Sequence, residues 1–537
     1  MEPETGALAL KDLNGRKEDG AVRKTPQDAF EVQERDEEAV QGLNTSSPPG
    51  PSRARLIALV LTCTGAAFMN TLGVQAAVIV LPTIGTALDI PDSRQQWIVS
   101  AYSLTFGCFL LLWGRLADVY GKRLIFIWGS AWVTATTIAL PFIPNEIGFD
   151  IFRGLQGLGA AANVPTAIGI LGTTFPPGRA KNYAFSCYGA GAPLGSIFGN
   201  LLGGVVAQWV NWRWIFWILG ILAGIITIAG YIIIPLPPVS STVGTKASID
   251  WIGGTLITLG LLALLFALTE GNVVGWSTPW ISVLIVISIA LVAIFVAWQW
   301  YLEKKTTRKP LMKVSIWKNV RFSAAMLIMT LFFAAFNNYL IFATYFYQQY
   351  LGLSVIQTTL RFIPTGVVGI IVAFITAQLL SRVRGSFILM FGTLSVGIAC
   401  LLFAVPIHPN TTYWAYGFPA MCLAVFGADT VYPSLTLFTA HSLPQEDQAL
   451  GGALINAVGQ VGRAIGLAIS TAAELAIIAQ RKGESVEVVG NAHLAPRDLA
   501  LLDGLRVAEW VNFGLAIAAF AIVLYAFRGS EKLGQKG

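Results

Sequence analysis

The stretch GAGAPLGSIFGNLLGG, Gly189 to Gly204, spends six of its sixteen residues on glycine and one on proline inside an otherwise apolar segment. An interior glycine costs a helix roughly 1 kcal/mol relative to alanine, and a proline about 3. In water such a helix would be a poor one. Gly191, Gly195, Gly199 and Gly203 recur at every fourth position, however, so on a helix they form one nearly straight groove without side chains. In lipid, helices associate where small residues let backbones approach, and the groove becomes a packing face. The spacing predicts that this face meets a helix of the other half of the molecule.

The composition supports a bilayer setting. Of 537 residues 55% are hydrophobic and 12% charged, whereas soluble chains carry about 25% charged residues. Apolar runs long enough for the roughly 20 helical residues that cross a bilayer begin near Leu56, Trp97, Leu124, Ile151, Tyr183, Trp214, Trp251, Ile281, Phe322, Phe362, Phe387, Tyr413, Leu450 and Val511. The chain therefore reads as an all-α polytopic membrane protein with about fourteen transmembrane helices. Residues 1–54 are polar and rich in charge, Ser and Pro, as expected of a disordered tail. They lack the basic start and apolar core of a cleavable signal.

Charge placement orients the spans. Loops after even-numbered spans carry Arg115, Lys122, Arg123, Arg179, Lys181 and the basic run from Lys304 to Arg321, while the opposite loops carry little beyond Arg94 and Arg213. By the positive-inside bias the even loops and both termini are cytoplasmic, and the sequon at Asn410 in an opposite loop suits glycosylation outside. The net charge of +6 lies in these loops, so no nucleic-acid partner is implied. Five cysteines, all within spans, suggest packing residues and no disulfide framework.

Sliding the chain on itself by 268 positions superimposes Gly159, Ala160, Pro165, Pro176 and Gly191 on Gly427, Ala428, Pro433, Pro444 and Gly459. The shift pairs span four with span twelve. Two parallel six-helix halves separated by an inserted pair would produce that offset, and parallel repeats are one of the designs of secondary transporters, with a substrate site at their interface. The expected organisation is a cytoplasmic tail 1–54, a first half 55–238, an inserted pair and basic linker 239–320, a second half 321–528 and a tail 529–537.

The loop after span two, GRLADVYGKR, Gly114 to Arg123, resembles the signature of the major facilitator superfamily. With fourteen spans the chain is similar to the fungal drug:proton antiporters of that superfamily. RGLQGLGAA, Arg153 to Ala161, looks like the fourth-span signature, and Ala192-Pro193-Leu194-Gly195 occupies the place of the fifth-span antiporter motif in a degraded form. The resemblance implies that Gly114, Arg115, Asp118, Gly121, Lys122 and Arg123 act as a conformational latch, that Pro193 and the glycines of span five serve the antiporter motif, and that Arg153 lies inside the bundle near a proton route. On charge alone the basic residues could be topology anchors, and Arg153 could snorkel to the surface. Asp118 is placed to accept from backbone amides at the start of the next helix. The first span has Gly73 where relatives commonly carry an acid, which resembles the aminotriazole-resistance and low-affinity ammonium permease branch.

Ionisable groups inside a membrane are costly, about 3 kcal/mol each on insertion scales, and are functional candidates by default. Asp429 lies near the middle of span twelve, Arg463 at similar depth in span thirteen and Glu474 further out. Asp429 and Arg463 are expected to form a buried pair, which is either static or proton-coupled. Neutral residues then line the cavity: Asn70, Gln75, Asn163, Asn200, Asn337, Asn338, Tyr345 and Asn456. They suit a neutral or weakly polar small molecule, although each could equally bond between helices.

Enzyme signals are weak. GLGAAA, Gly157 to Ala162, matches a dinucleotide pattern without the strand it needs, no nucleotide-binding P-loop occurs, and the three histidines are expected apart in loops. No cofactor or metal is implied. The sequence therefore predicts a monomer in the plasma membrane or the vacuolar membrane that exports a small organic molecule against protons by alternating access. The other reading is an importer or low-affinity permease for a small solute such as ammonium.

Overall fold

A computed structural model of the chain describes residues 52–90, 97–236, 249–306, 308, 310–405, 411–444, 448–490 and 495–528. The tails at 1–51 and 529–537 and the sequon at Asn410 lie outside the described residues. Met1–Leu56 and Ile57–Gly537 are separate units, and the fold is that of the second.

Among the described residues fourteen long helices follow one another: α1 Arg53–Ile79, α2 Trp97–Tyr120, α3 Lys122–Ala139, α4 Glu146–Thr174, α5 Arg179–Trp209, α6 Trp212–Ile233, α7 Trp251–Val274, α8 Pro279–Lys305, α9 Val320–Tyr345, α10 Val355–Arg382, α11 Gly385–Ala404, α12 Tyr413–Ser442, α13 Gln448–Lys482 and α14 Leu499–Ala526. No strand occurs among the described residues. Thirteen of these helices are long and apolar enough to cross a membrane. The exception is α4, whose Gly- and Ala-rich body is buried by its neighbours and needs little apolar surface of its own.

Local chemistry sets the helix starts. Asn145 accepts from the Gly148 amide at the head of α4, and Ser354 and Gln357 bond each other's backbone amides at the head of α10. Asp498 accepts from Ala500 at the head of α14 and pairs with Lys482 of α13 at 3.0 Å. The hydrogen bond from Lys482 holds the Asp498 carboxyl below the usual carboxylate range, against a smaller opposing effect of burial. The clip is complete above that ordinary range and is lost as pH falls through the lowered value. Such polar starts explain two errors of hydropathy. Helix α10 begins at Val355 and not Phe362, and α14 begins at Leu499 and not Val511, because Gln357, Thr358 and Thr359 in the one, and Asp503, Arg506 and Glu509 in the other, break the apolar run.

The repeat is visible in the packing. In the first half α4 packs on α2 and α3, and α3 on α6; in the second, α12 packs on α11, and α14 on α11 and α9. At the α3–α4 crossing Gly129 and Gly159 meet, and a Cβ on Gly129 would lie 3.0 Å from the Gly159 carbonyl oxygen. Gly392 and Gly427 meet in the same way where α11 crosses α12, with 2.5 Å between a Cβ on Gly427 and the Gly392 oxygen. The halves join where α5 meets α10 and α12, and where α13 meets α2 and α4.

The glycine groove of α5 lies elsewhere than expected. A Cβ on Gly191 or Gly199 would lie 2.7 Å from the carbonyl oxygen of Thr64 or Leu72, one on Gly203 would lie 3.0 Å from that of Ala76, and Gly195 sits directly on the Phe68 carbonyl. These residues all belong to α1, in the same half. The face toward the other half is the opposite one, where Gly189 meets Pro433 of α12, Pro193 lies beside Gly369 of α10 and Ile197 fills the space over Gly366. Span five thus uses its bare face within its own half and its filled face between halves.

Overpacking of a tight contact costs about 1 to 3 kcal/mol, so Gly195→Leu and Gly199→Leu are expected to lower the thermal unfolding midpoint of the purified protein measurably. Gly204, where no atom lies within 4 Å of an added Cβ, provides the control: Gly204→Leu should unfold like the wild type. Equal midpoints for all three variants would contradict the α1 contact.

Candidate functional site

Polar constellations lie within the bundle among the described residues, and the first is at its α2–α3 end. Gly121 turns the chain there with φ of +101°, a conformation open to glycine and strained for side chains. Asp118, the last acid of α2, has a side chain only 2% exposed. Its carboxylate does not cap α3, as its place in the sequence suggests. The Leu450 amide at the head of α13 donates to it at 3.0 Å, across 332 residues of chain, while Lys122 stands 3.5 Å from its other oxygen. The start of a helix offers unpaired amides and a positive dipole end, and packing of α13 on α2 brings that end to the acid. Gly114 and Arg115 are buried on α2, and Arg123 donates to the Tyr231 carbonyl of α6 at 2.8 Å and covers the Tyr231 ring. Asp118 therefore ties the two halves, and Arg123 ties α3 to its own half.

A second constellation occupies the interior of the first half. Arg153 is fully buried and does not snorkel. Its Nε donates to the Ile98 carbonyl at 2.7 Å and one terminal nitrogen to Gln156 at 2.6 Å; Gln156 donates on to Thr137 at 2.7 Å. The guanidinium lies 5.0 Å above the Tyr102 ring, and the Tyr102 hydroxyl donates to Asn70 at 2.6 Å. A small cavity between α1, α2, α3, α4 and α6 is lined by Asn70, Tyr102, Ser130, Thr137, Gln156 and Asn163 among others. Of the neutral residues expected to line a cavity, it brings together Asn70 and Asn163.

The remainder are dispersed. Gln75 packs over Gly199, Asn200 and Asn337 are half-buried, Asn338 is buried against Gly466 in the second half, and Tyr345 lies near Glu474. Asn456 joins the third constellation, at the seam between halves. There Tyr188 of α5 and Tyr432 of α12 hydrogen-bond, and Tyr432 bonds Asn456 of α13 at 3.3 Å. Sequence reasoning missed both tyrosines, although each sits one residue before a seam contact that it had noticed, Gly189 and Pro433.

Asp429 and Arg463 do not pair. The Arg463 guanidinium stands 4.6 Å over the Phe333 ring of α9, beside Tyr432. Asp429 turns the other way, toward α10 and α5: its Oδ2 is 2.8 Å from where a Cβ of Gly369 would stand, that same position is 3.3 Å from Pro193 Cβ, and Oδ2 has no hydrogen-bond partner. The two residues project from different helices, and the arginine faces an aromatic ring and not the acid. Glu474 is buried near Tyr345, toward the far end of α13. Of the histidines, His441 closes the last turn of α12 and is not in a loop. Among the described residues no group of acids, cysteines and histidines could hold a metal ion.

A profile described as Major Facilitator Superfamily matches residues 63–251 and 251–467. The low affinity ammonium transporter of Saccharomyces cerevisiae is 31% identical over 413 residues, covering 75% of this chain and 79% of its own. The efflux pump terJ of Aspergillus terreus is 27% identical over 477 residues, covering 87% of each. The crystal structure of the human organic anion transporter MFSD10 superimposes with a TM-score of 0.62 over 89% of this chain and all of that one, at 15% identity, and so shares the fold.

A hydrogen bond to a charged group contributes about 1.5 to 3 kcal/mol. Asp118→Ala is therefore expected to shift the population in which the α2 and α13 ends are held together by more than about tenfold, with Asp118→Asn intermediate. Distance distributions between spin labels on the two helix ends would report it, and distributions identical to the wild type in both variants would reduce Asp118 to a surface anchor.

Proposed function

This chain belongs to the major facilitator superfamily, and we propose that it is a proton-coupled exporter of a small organic molecule that works by alternating access between its halves. That it is a multi-pass membrane transporter follows from the family and its apolar helices. The observation that carries the finer reading is the position of Asp429. An ionised carboxyl in an apolar interior is costly unless paired, and this one lies without a cation at the junction of α5, α10 and α12. That junction must change if the halves rock. A proton bound in one arrangement and surrendered in the other couples the change to a gradient.

The rest of the seam suits this role. Asp118 holds one end closed through a charge-assisted bond to the head of α13, which can form and break once per cycle. Tyr188, Tyr432 and Asn456 offer hydroxyl and amide groups without net charge where the halves meet, chemistry suited to a neutral or weakly polar solute. Arg153, with Gln156 and Thr137, supports the first half beside its polar cavity. Both termini and the α2–α3 loop are assigned to the cytoplasmic side, the whole to the plasma membrane or a vacuolar membrane, and the working unit to a monomer.

A second reading has its own support: a low-affinity permease for a small solute, favoured by the 31% identity to the ammonium transporter. Direction separates the two. Cells containing the protein should accumulate less labelled aminotriazole than cells without it if it exports, and more labelled methylammonium if it is a permease.

The coupling test uses the full chain in vesicles with an imposed pH gradient. Asp429→Asn is expected to reduce gradient-driven transport to the passive rate while energy-independent exchange continues, and Glu474→Gln is expected to remain gradient-sensitive. The reverse pattern would assign the proton to Glu474; gradient sensitivity in both variants would remove both acids from coupling.

A further inference from the structure

The second half contains a buried acid that neither the latch nor the seam uses. Glu509 lies on α14 and is 2% exposed. Asn512, one turn on, donates to its Oε2 at 3.2 Å, and Asn512 in turn accepts from Ser470 of α13 at 2.9 Å. The Cys400 thiol of α11 hydrogen-bonds to the same carboxyl. Oε1 is buried with no hydrogen-bond partner, and so is the Tyr339 hydroxyl of α9, which stands within electrostatic reach of the acid.

We propose that Glu509 is a proton-binding site in the interior of the second half, filled from the end of the bundle opposite the α2–α3 loop. The groups that face it come from every helix packed on α14: Tyr339 from α9, Cys400 from α11 and Ser470 from α13, with Glu474 one turn further along α13 turned toward Tyr345. None of them is a cation. The basic group one turn earlier on α14 is Arg506, and it pairs with Asp503 at 3.8 Å. Asn512 donates to Oε2 of this carboxyl and Oε1 has no hydrogen-bond partner, which leaves Oε1 the place for a proton.

The route is set by the helix. Asp503, Arg506, Glu509 and Asn512 follow at steps of three, so successive members are neighbours on the helix surface. Arg506 also lines a cleft with Phe346, Leu402, Tyr416 and Leu502, at the end where α9 finishes and α14 starts. A proton from water in that cleft enters beside Arg506 and forms an O–H bond on Oε1 one turn below; release reverses the path. The site stands whether or not Asp429 carries a proton, since the two acids lie on different helices and Asn512, Cys400 and Tyr339, the groups around Glu509, all belong to the second half.

The experiment is infrared difference spectroscopy on the full chain in lipid nanodiscs, between acid and alkaline buffer. A carboxylic acid carbonyl band should disappear on raising the pH in the wild type and in Asp429→Asn, and should be missing from Glu509→Gln. Cys400→Ala, which removes one hydrogen bond and keeps the acid, should shift the frequency of that band. If Glu509→Gln leaves every titrating band in place, or if its band is present at all pH values, the proposal is overturned. Should Glu509→Gln not fold, Cys400→Ala decides: an unshifted spectrum overturns the assignment. A band lost only in Asp429→Asn would bear on the seam acid alone and would leave Glu509 without its role.

Discussion

The contact of α5 with α1 through bare backbone determines what the rest of the bundle can do. Carbonyl oxygens of α1 stand where side chains of α5 would otherwise be, at four successive turns, and lipid gives no hydrophobic drive to replace that fit. With one face spent in this way, the opposite flank of α5, carrying Gly189, Pro193 and Ile197, is left to meet α10 and α12. A helix fixed in one half and presented to the other is what a rocking interface requires. Pro193, which removes one backbone hydrogen bond from the helix, lies on the presented side, where a small adjustment of the backbone would be felt by Gly369 and the Asp429 carboxyl.

Polar groups are distributed by the same economy. Arg153 is satisfied inside the first half by a carbonyl, an amide and an aromatic face, and Arg463 by a ring at the seam. Neither cation pairs with a buried acid of the second half. The three buried acids of the second half, Asp429, Glu474 and Glu509, are correspondingly left without ion pairs among the described residues, and each occupies a different setting: the seam, the far end of α13 and the helical core. Buried ion pairs return little stability for their desolvation. Unpaired acids are costlier still, so retaining them points to a use for their protons.

Much of this arrangement was legible in the chain. Apolar runs and basic loops located thirteen of the helices that the structure finds apolar enough to span, and the 268-residue shift anticipated the matching glycine crossings at Gly159 and Gly427. Spacing located the glycine groove but could not say which helix fills it, because four-residue periodicity fixes a face and not its partner. Asp118 was legible as an acid at a helix end, but its acceptor role depends on an amide 332 residues away. The pairing of Asp429 with Arg463 failed for a related reason: equal depth on adjacent helices says nothing about rotation about each axis. Glu509 was invisible because Asp503 and Arg506 depress the apolarity of its surroundings, so the reading ended the loop at Val511 and left the acid outside the membrane.

The inserted pair follows from where the halves are tied. Helix α7 packs on both α2 and α13, the two helices that Asp118 joins. Trp97, at the far end of α2, donates to Glu270 of α7 at 2.7 Å, so α7 is held to the first half at the end away from Asp118. At its other end Asp250 caps the helix through Gly253 and accepts from Trp298 and Gln299 of α8, while Gln299 accepts from the Met312 amide of the following linker. These bonds lock α7, α8 and the linker to one another. Helix α7, locked in this way, lies against both helices of the α2–α13 seam, and among the described residues no equivalent inserted helix packs on α5 and α10. The two seams are therefore not equivalent despite the repeat, and the asymmetry originates in the insertion between the halves, not in the halves themselves.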